Sequence, residues 1–193
     1  YEIGVRLVGS EMCIRDRRMG GGYIRTYNNS GRETSYLGTG SDNSGQLRIY
    51  DKQGETRSYL GDGYLQAYNQ FGERTIFLGT GTNGGGYLRT YNFSGQESIY
   101  VGTGADSSGQ IRIYDNSGET GSFLGSGYFR TYNRFGKMTT FIGNATDGGG
   151  YLRTNNKFET ETAFLGTNNA NEGLINLNDK FGQSFWIRLN KKN

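Results

Sequence analysis

Histidine and proline are absent from the 193-residue sequence, and cysteine and tryptophan occur once each, as Cys13 and Trp186. A single cysteine rules out an intrachain disulfide. Without histidine, the usual zinc and haem ligand sets, Cys–His nucleophiles and Ser–His–Asp triads lack a necessary part. Only Asp, Glu and carbonyl oxygens remain as metal ligands, a set that suits calcium. Apolar residues make up 33% of the chain, too few for a thick conventional core. Disorder is not the consequence, because aromatics (14%) recur at regular intervals and the net charge is only +3. So small a charge argues against nucleic acid or an anionic membrane as a partner. Membrane insertion is not expected either, since no stretch approaches the roughly 18 apolar residues of a spanning helix.

What the sequence has in abundance is glycine (34), tyrosine (15) and phenylalanine (11), arranged as a repeat. Units begin at Tyr23, Gln46, Tyr64, Tyr87, Gln110, Tyr128, Tyr151 and Leu174. Every third unit is equivalent, so Tyr23, Tyr87 and Tyr151 mark a super-repeat of 64 residues. Residues 1–18 share nothing with this pattern, and "LVGSEMCIRDR" at 7–17 resembles a translated sequencing-adapter read-through. That segment is set apart as non-native or disordered; its apolar run is too short for a signal peptide. Glycines 20–22 precede Tyr23 as glycines 84–86 precede Tyr87, so the repeat is under way by Gly20. The native protein is therefore expected to extend further toward its N-terminus. Residues 19–173 hold seven tandem units, and the divergent 174–193, with Trp186, reads as a terminal cap.

The sixth residue of every unit is Asn or Asp: Asn28, Asp51, Asn69, Asn92, Asp115, Asn133, Asn156 and Asp179. Three residues later stands Gly in all but one unit, where Glu159 replaces it. Asx-x-x-Gly between β-prone runs predicts a type I turn closed by a glycine bulge, hence a β-hairpin per unit. Glycine density and two-residue alternation exclude helix. The bulged register sets Ile24 beside Tyr36, Leu65 beside Phe77, Leu88 beside Tyr100, Phe129 beside Phe141 and Leu152 beside Phe164. This face is expected to be buried. The other face, expected to be exposed, carries Arg25, Arg48, Arg89, Arg112, Arg130 and Arg153 beside Tyr27, Tyr50, Tyr68, Tyr91, Tyr114 and Tyr132. Leu37, Leu60, Leu78 and Leu124 fall on the Arg/Tyr side in this register, and a one-residue shift would bring them in.

The fold class expected is all-β: a repetitive hairpin array wound as a solenoid with about three hairpins per turn, so that equivalent units share a side. The alternative is a parallel β-solenoid with one coil per unit, which would stack like-charged Arg about 4.8 Å apart.

Short glycine- and aromatic-rich hairpin units of this length resemble the choline-binding and glucan-binding repeats of bacterial cell-wall proteins. That resemblance implies a hairpin solenoid and ligands held in aromatic cages. It rests on rhythm over residues 20–190, and the Trp–Tyr–Tyr signature is absent, so no ligand residue carries over. The "YD/YN-x-x-G-x-x-T" core at 50–56 and 91–98 is similar to the YD repeats of shell-forming toxin proteins, without their Arg-Leu after the glycine. Phage and virus fibre segments share the composition.

The Arg/Tyr rows are the candidate ligand-binding surface: Arg25, Tyr27, Arg48, Tyr50, Tyr68, Arg89, Tyr91, Arg112, Tyr114, Arg130 and Tyr132. Flat rings flanked by donors suit sugars, and Arg suits the carboxylates or sulfates of acidic glycans. The competing view is that these residues shield the outer sheet and pair with Glu33, Glu97 and their equivalents. "GSDNSG" at 40–45 and "GADSSG" at 104–109 offer one carboxylate each, which favours a solvated turn over calcium. No Gly-Lys-Ser/Thr follows the glycines, so no P-loop is present. Asn28, Asn92 and Asn144 lie in N-x-S/T sequons. Thr rows broken by Ile49, Ala67 and Ile113 leave ice binding a distant third. A motif copied unit by unit offers no unique carboxylate pair, so no enzyme activity, no metal and no cofactor are expected. The function expected is that of a non-enzymatic extracellular, cell-surface or virion-surface module, a stalk or glycan-contacting adhesin. The alternative is the targeting array of a glycan-processing enzyme whose catalytic domain lies upstream.

Overall fold

A computed structural model describes residues 17–20, 22–146, 148–168 and 170–189. Residues 1–16, most of the segment set apart above, lie outside them. The described chain is all-β, with no helix. It divides into two compact units: residues through Thr82 with Thr90–Gly95, and Asn83–Arg89 with Gln96 onward.

The first unit holds β1 (Arg17–Gly20), β2 (Tyr23–Tyr27), β3 (Glu33–Thr39), β4 (Gly45–Tyr50), β5 (Thr56–Gly61), β6 (Tyr64–Tyr68) and β7 (Arg74–Thr80). The residues of β8 (Gly86–Tyr91) are divided between the units. The second unit holds β9 (Glu97–Thr103), β10 (Gly109–Tyr114), β11 (Thr120–Gly125), β12 (Tyr128–Tyr132), β13 (Met138–Asn144), β14 (Gly150–Asn155), β15 (Glu161–Thr167), β16 (Gly173–Asn178) and β17 (Ser184–Leu189). Within each unit every strand pairs antiparallel with its neighbour in the chain. The like-charge stacks of a parallel solenoid therefore do not arise.

The Asx turn forms as its chemistry dictates. Asn133 Oδ1 accepts the amides of Phe135 (2.9 Å) and Lys137 (3.1 Å), the Gly136 amide donates to the Asn133 carbonyl (2.9 Å), and Gly136 sits at φ 71°. A left-handed φ costs an L-residue roughly 1–2 kcal/mol, which glycine avoids. Glu159 adopts φ 66° at the equivalent place. Its carboxylate reaches the preceding turn, accepting from Lys137 Nζ (3.0 Å) and the Met138 amide (3.2 Å), so the strain is offset by contacts no glycine could make. The links between units are hairpin turns too. Asp62–Gly63 and Ser126–Gly127 have positive φ at both residues, the two-residue turn whose twist matches the flanking strands.

In Asp115 the turn carries a titratable cap. The Ser117 hydroxyl (2.6 Å), then the amides of Ser117 (2.9 Å) and Glu119 (3.0 Å), hold its carboxyl below the usual range against an opposing effect of burial. A depressed carboxylate contributes stability above its ordinary value of about 3.9 that is lost as pH falls through the folded value. Asp115→Asn, which keeps the cap as Asn133 does, is expected to flatten the acid limb of the stability–pH curve read by circular dichroism. Coincident limbs for variant and parent would refute this role.

The register differs from the expected one beyond the turn. Tyr27 pairs with Glu33, as the turn bulge dictates, but one residue further Thr26 pairs with Ser35 and Ile24 with Leu37. A second bulge has inserted Thr34, and the same shift recurs at each described hairpin. The inserted threonine is satisfied locally: Thr26 Oγ1 lies 2.7 Å from Thr34 Oγ1, and Thr154 Oγ1 lies 3.1 Å from Thr162 Oγ1. Because side chains alternate faces, this one-residue shift reassigns the second strand of every hairpin. The expected pairs Ile24–Tyr36, Leu65–Phe77, Phe129–Phe141 and Leu152–Phe164 do not form. Instead Arg25 faces Tyr36, Phe77 faces Gln66, Arg130 faces Phe141 and Arg153 faces Phe164.

The shift sorts the sheet into two unlike sides. One is an aliphatic row of directly paired residues: Ile24, Leu37, Leu47, Leu60, Leu65 and Leu78 in the first unit. In the second unit it is Val101, Ile111, Leu124, Phe129, Ile142, Leu152, Leu165 and Ile175. The other side collects the arginines and, Phe129 apart, the strand aromatics of the seven units. The expectation of a buried aliphatic face is corrected: Leu37 is 51% and Leu165 52% exposed. Among the described residues the one buried hydrophobic side chain is Phe141, on the Arg/aromatic side, at 5%. Among the described residues each unit is a single layer, and none of them lies as a second layer over its aliphatic row.

Candidate functional site

On the Arg/aromatic side, rings from neighbouring strands stack. Tyr64 and Phe77 lie 5.4 Å apart between centroids, Tyr128 and Phe141 5.6 Å, Phe141 and Tyr151 4.6 Å, and Tyr151 and Phe164 5.4 Å. Guanidinium groups lie over these rings: Arg25 4.7 Å from Tyr23, Arg89 4.7 Å from Tyr87, and Arg130 4.2 Å from Tyr128. Such contacts are worth about 0.5–2 kcal/mol depending on solvation. They also explain why buried Nε atoms of Arg25, Arg112, Arg130 and Arg153 go without an acceptor: rings rather than oxygens cover them.

The arrangement has room because glycine stands two residues after each second-strand aromatic of the seven units. A Cβ at Gly61 would come within 2.5 Å of the Tyr59 hydroxyl, and one at Gly79 within 2.8 Å of both Phe77 and Tyr64. The aromatic leans along its own strand over the glycine while a cross-strand Tyr or Gln packs from the side. Tyr36 donates from its hydroxyl to the Thr39 carbonyl (2.7 Å), and Tyr100 to that of Thr103 (2.8 Å), fixing this lean.

Not all arginines are equal. Arg25 pairs with Glu33 (3.3 Å) and Arg89 with Glu97 (3.4 Å). In the short units the glutamate position is taken by threonine: Tyr50 faces Thr56 and Tyr114 faces Thr120. Arg48 and Arg112 therefore make no ion pair among the described residues. They bond a glutamine instead, Arg48 Nη2 to Gln46 Oε1 (3.1 Å) and Arg112 Nη2 to Gln110 Oε1 (3.3 Å).

At both of these arginines the surface opens into a groove. In the first unit a groove of about 430 Å³ is lined by Arg48, Glu55, Thr56, Tyr59, Tyr64, Gln66, Tyr68 and Gly72. In the second a groove of about 540 Å³ is lined by Ala105, Asp106, Gln110, Arg112, Glu119, Thr120, Phe123, Ser126, Tyr128, Tyr132 and Gly136. Seven lining positions coincide under the 64-residue period: 48/112, 55/119, 56/120, 59/123, 64/128, 68/132 and 72/136. The same site is thus written twice. In the first, burial pushes the Tyr59 phenol up to about 12, with Tyr64 and Asp62 adding to it. In the second, hydrogen bonds from the hydroxyls of Ser108 (2.7 Å) and Ser126 (3.0 Å) hold the Asp106 carboxyl low.

Of the residues expected from the sequence, Arg48 and Tyr68 fall in one groove and Arg112 and Tyr132 in the other. Arg25, Tyr27 and Arg130 share the face but line neither groove. Arg89 and Tyr91 lie on β8, also outside both. Tyr50 and Tyr114 also stand apart, their phenols pushed up by burial and by Glu33 and Glu97 respectively. The sequence reading left out Tyr64, Tyr128 and Gln110, which lie near the starts of first strands, and missed Tyr59 and Phe123, having assigned the second-strand aromatics to the opposite face. The signal that could have found them is the strand glycine two residues after each aromatic, present in seven units as Gly38, Gly61, Gly79, Gly102, Gly125, Gly143 and Gly166. In two long links an Asp caps its own turn: Asp42 Oδ1 accepts from Ser44, as Asp106 Oδ1 does from Ser108. No family model matches this chain, and no curated protein matches it.

Proposed function

We propose that the protein is a non-enzymatic repeat module of an extracellular, cell or virion surface that contacts glycans, with the grooves at Arg48 and Arg112 as its binding sites and acidic sugars as their preferred ligands. The observation that carries this reading is an arginine without a direct ion-pair partner among the described residues, set among aromatic planes in a groove that occurs twice. Tyr59 or Phe123 and the paired tyrosines offer flat faces for a pyranose ring. The guanidinium offers parallel donors for a carboxylate or sulfate, and glutamine, threonine and tyrosine supply hydroxyl-matched partners. Open grooves of this depth suit a ring within a chain better than a small molecule that must be enclosed.

The test is titration calorimetry of the parent and of an Arg48→Ala/Arg112→Ala variant against uronic-acid-containing, sulfated and neutral oligosaccharides. Binding of an acidic oligosaccharide weakened at least about 10-fold by the double variant is expected. Unchanged affinity in the variant, or no retention of any glycan by the parent, overturns the reading.

A further inference from the structure

We infer that the aliphatic side of the second unit is the inner face of a two-layer sandwich made with a second copy of this chain. The reason is the contrast between its two sides. On β9–β16 every charged strand residue, Glu97, Arg112, Arg130, Arg153 and Glu161, belongs to the aromatic side. The aliphatic row and its flanking serine, threonine and alanine positions carry none. Yet it is the charge-free side that is left open, with Leu124 49% and Ile142 45% exposed. A contiguous apolar strip of this length is rare on a protein that stays single in water.

Area decides what fits. Eight strands at a spacing of about 4.8 Å, each about 20 Å long, present roughly 800 Å². That is the share each partner contributes to a standard stable interface of roughly 1,600 Å². Along β9–β16 a second copy offers the same charge-free row, Arg188 of β17 standing at its end opposite Ile175, so no ion of these eight strands is stranded when the two meet, and sheets packed face to face about 10 Å apart interdigitate such rows. In the first unit the corresponding row forms a recess that could take incoming side chains: Ile24, Leu37, Leu47 and Leu60 line an apolar depression of about 650 Å³. Association through this side leaves the groove at Arg112, on the opposite side of the same unit, accessible.

The experiment uses the full chain. Sedimentation equilibrium is expected to show a monomer–dimer equilibrium, and Ile142→Lys/Leu165→Lys to raise its dissociation constant at least about 100-fold. Circular dichroism checks that the strands persist. A second pair of variants guards against misfolding: Leu152→Cys and Arg153→Cys, each in a Cys13→Ser background, treated with a bismaleimide spanning about 10 Å, the sheet-to-sheet distance. Covalent dimer from position 152 and not from its neighbour at 153, on the other side, is the result expected. A chain that stays monomeric, associates in the lysine variant as in the parent, or cross-links equally at both positions overturns the proposal. So does a monomer that sediments with phosphatidylcholine vesicles through this side.

Discussion

Phe141→Ala is expected to lower stability by about 3 kcal/mol, near the low end for a buried aromatic. Phe141 is the single buried hydrophobic among the described residues, held between Tyr128 and Tyr151 at 5.6 and 4.6 Å, with Arg130 and Arg153 at 5.4 and 5.9 Å from its ring. Two terms add here. Lost burial accounts for most of the effect, and each ring–ring contact adds roughly 0.5–1.5 kcal/mol beyond area. Phe141→Tyr is expected to be nearly neutral, since Tyr36, Tyr59 and Tyr100 occupy the same position in other units. Phe164→Ala, which removes the stack on Tyr151 where Phe141→Ala removes those on Tyr128 and Tyr151, is expected to cost less. Urea denaturation gives the size, and hydrogen exchange over β12–β14 shows whether the loss is local, as contacts between successive strands imply. A cost for Phe141→Ala no larger than for Phe164→Ala would mean that the stacked rings are not the centre of stability.

Gly143→Ala is expected to cost about 2 kcal/mol although it adds only one carbon. Its Cβ would lie 2.5 Å from Tyr128 Cβ, 2.9 Å from Tyr128 Cα and 3.0 Å from the Gly127 carbonyl oxygen. Two of these three atoms are backbone, so no rotamer change relieves the clash; the strands must part, and the Tyr128–Phe141 stack with them. Gly150 supplies the control. Nothing lies within 4 Å of the Cβ built there, and Gly150→Ala is expected to stay within about 0.5 kcal/mol of the parent. Equal midpoints for the two variants in urea would show that strand glycine is not needed to seat the ring.

Much of the fold was legible because it is local chemistry. The Asx at position six and the glycine three residues on specify a turn within five residues, and the structure forms it at Asn28, Asp51, Asn133 and Asp179. The Asx hydrogen bond and the left-handed glycine need no partner from elsewhere in the chain. The grooves were half legible: Arg48, Tyr68, Arg112 and Tyr132 lie on first strands, whose facing follows directly from the turn. Their second-strand partners, Tyr59 and Phe123, were not.

The sequence by itself determined that the chain is β, where it bends, and that arginine and tyrosine share a side of the first strands that carry both; alternation and turn chemistry act over neighbours. Only the tertiary structure decided which side the other aromatics join. A bulge one residue past the turn adds nothing that composition or periodicity displays, yet it rotates every later side chain by a face. What fixes it is the pairing of whole strands: Ile24 opposite Leu37 gathers the aliphatics in one row, and Arg25 opposite Tyr36 sets the cation over the ring.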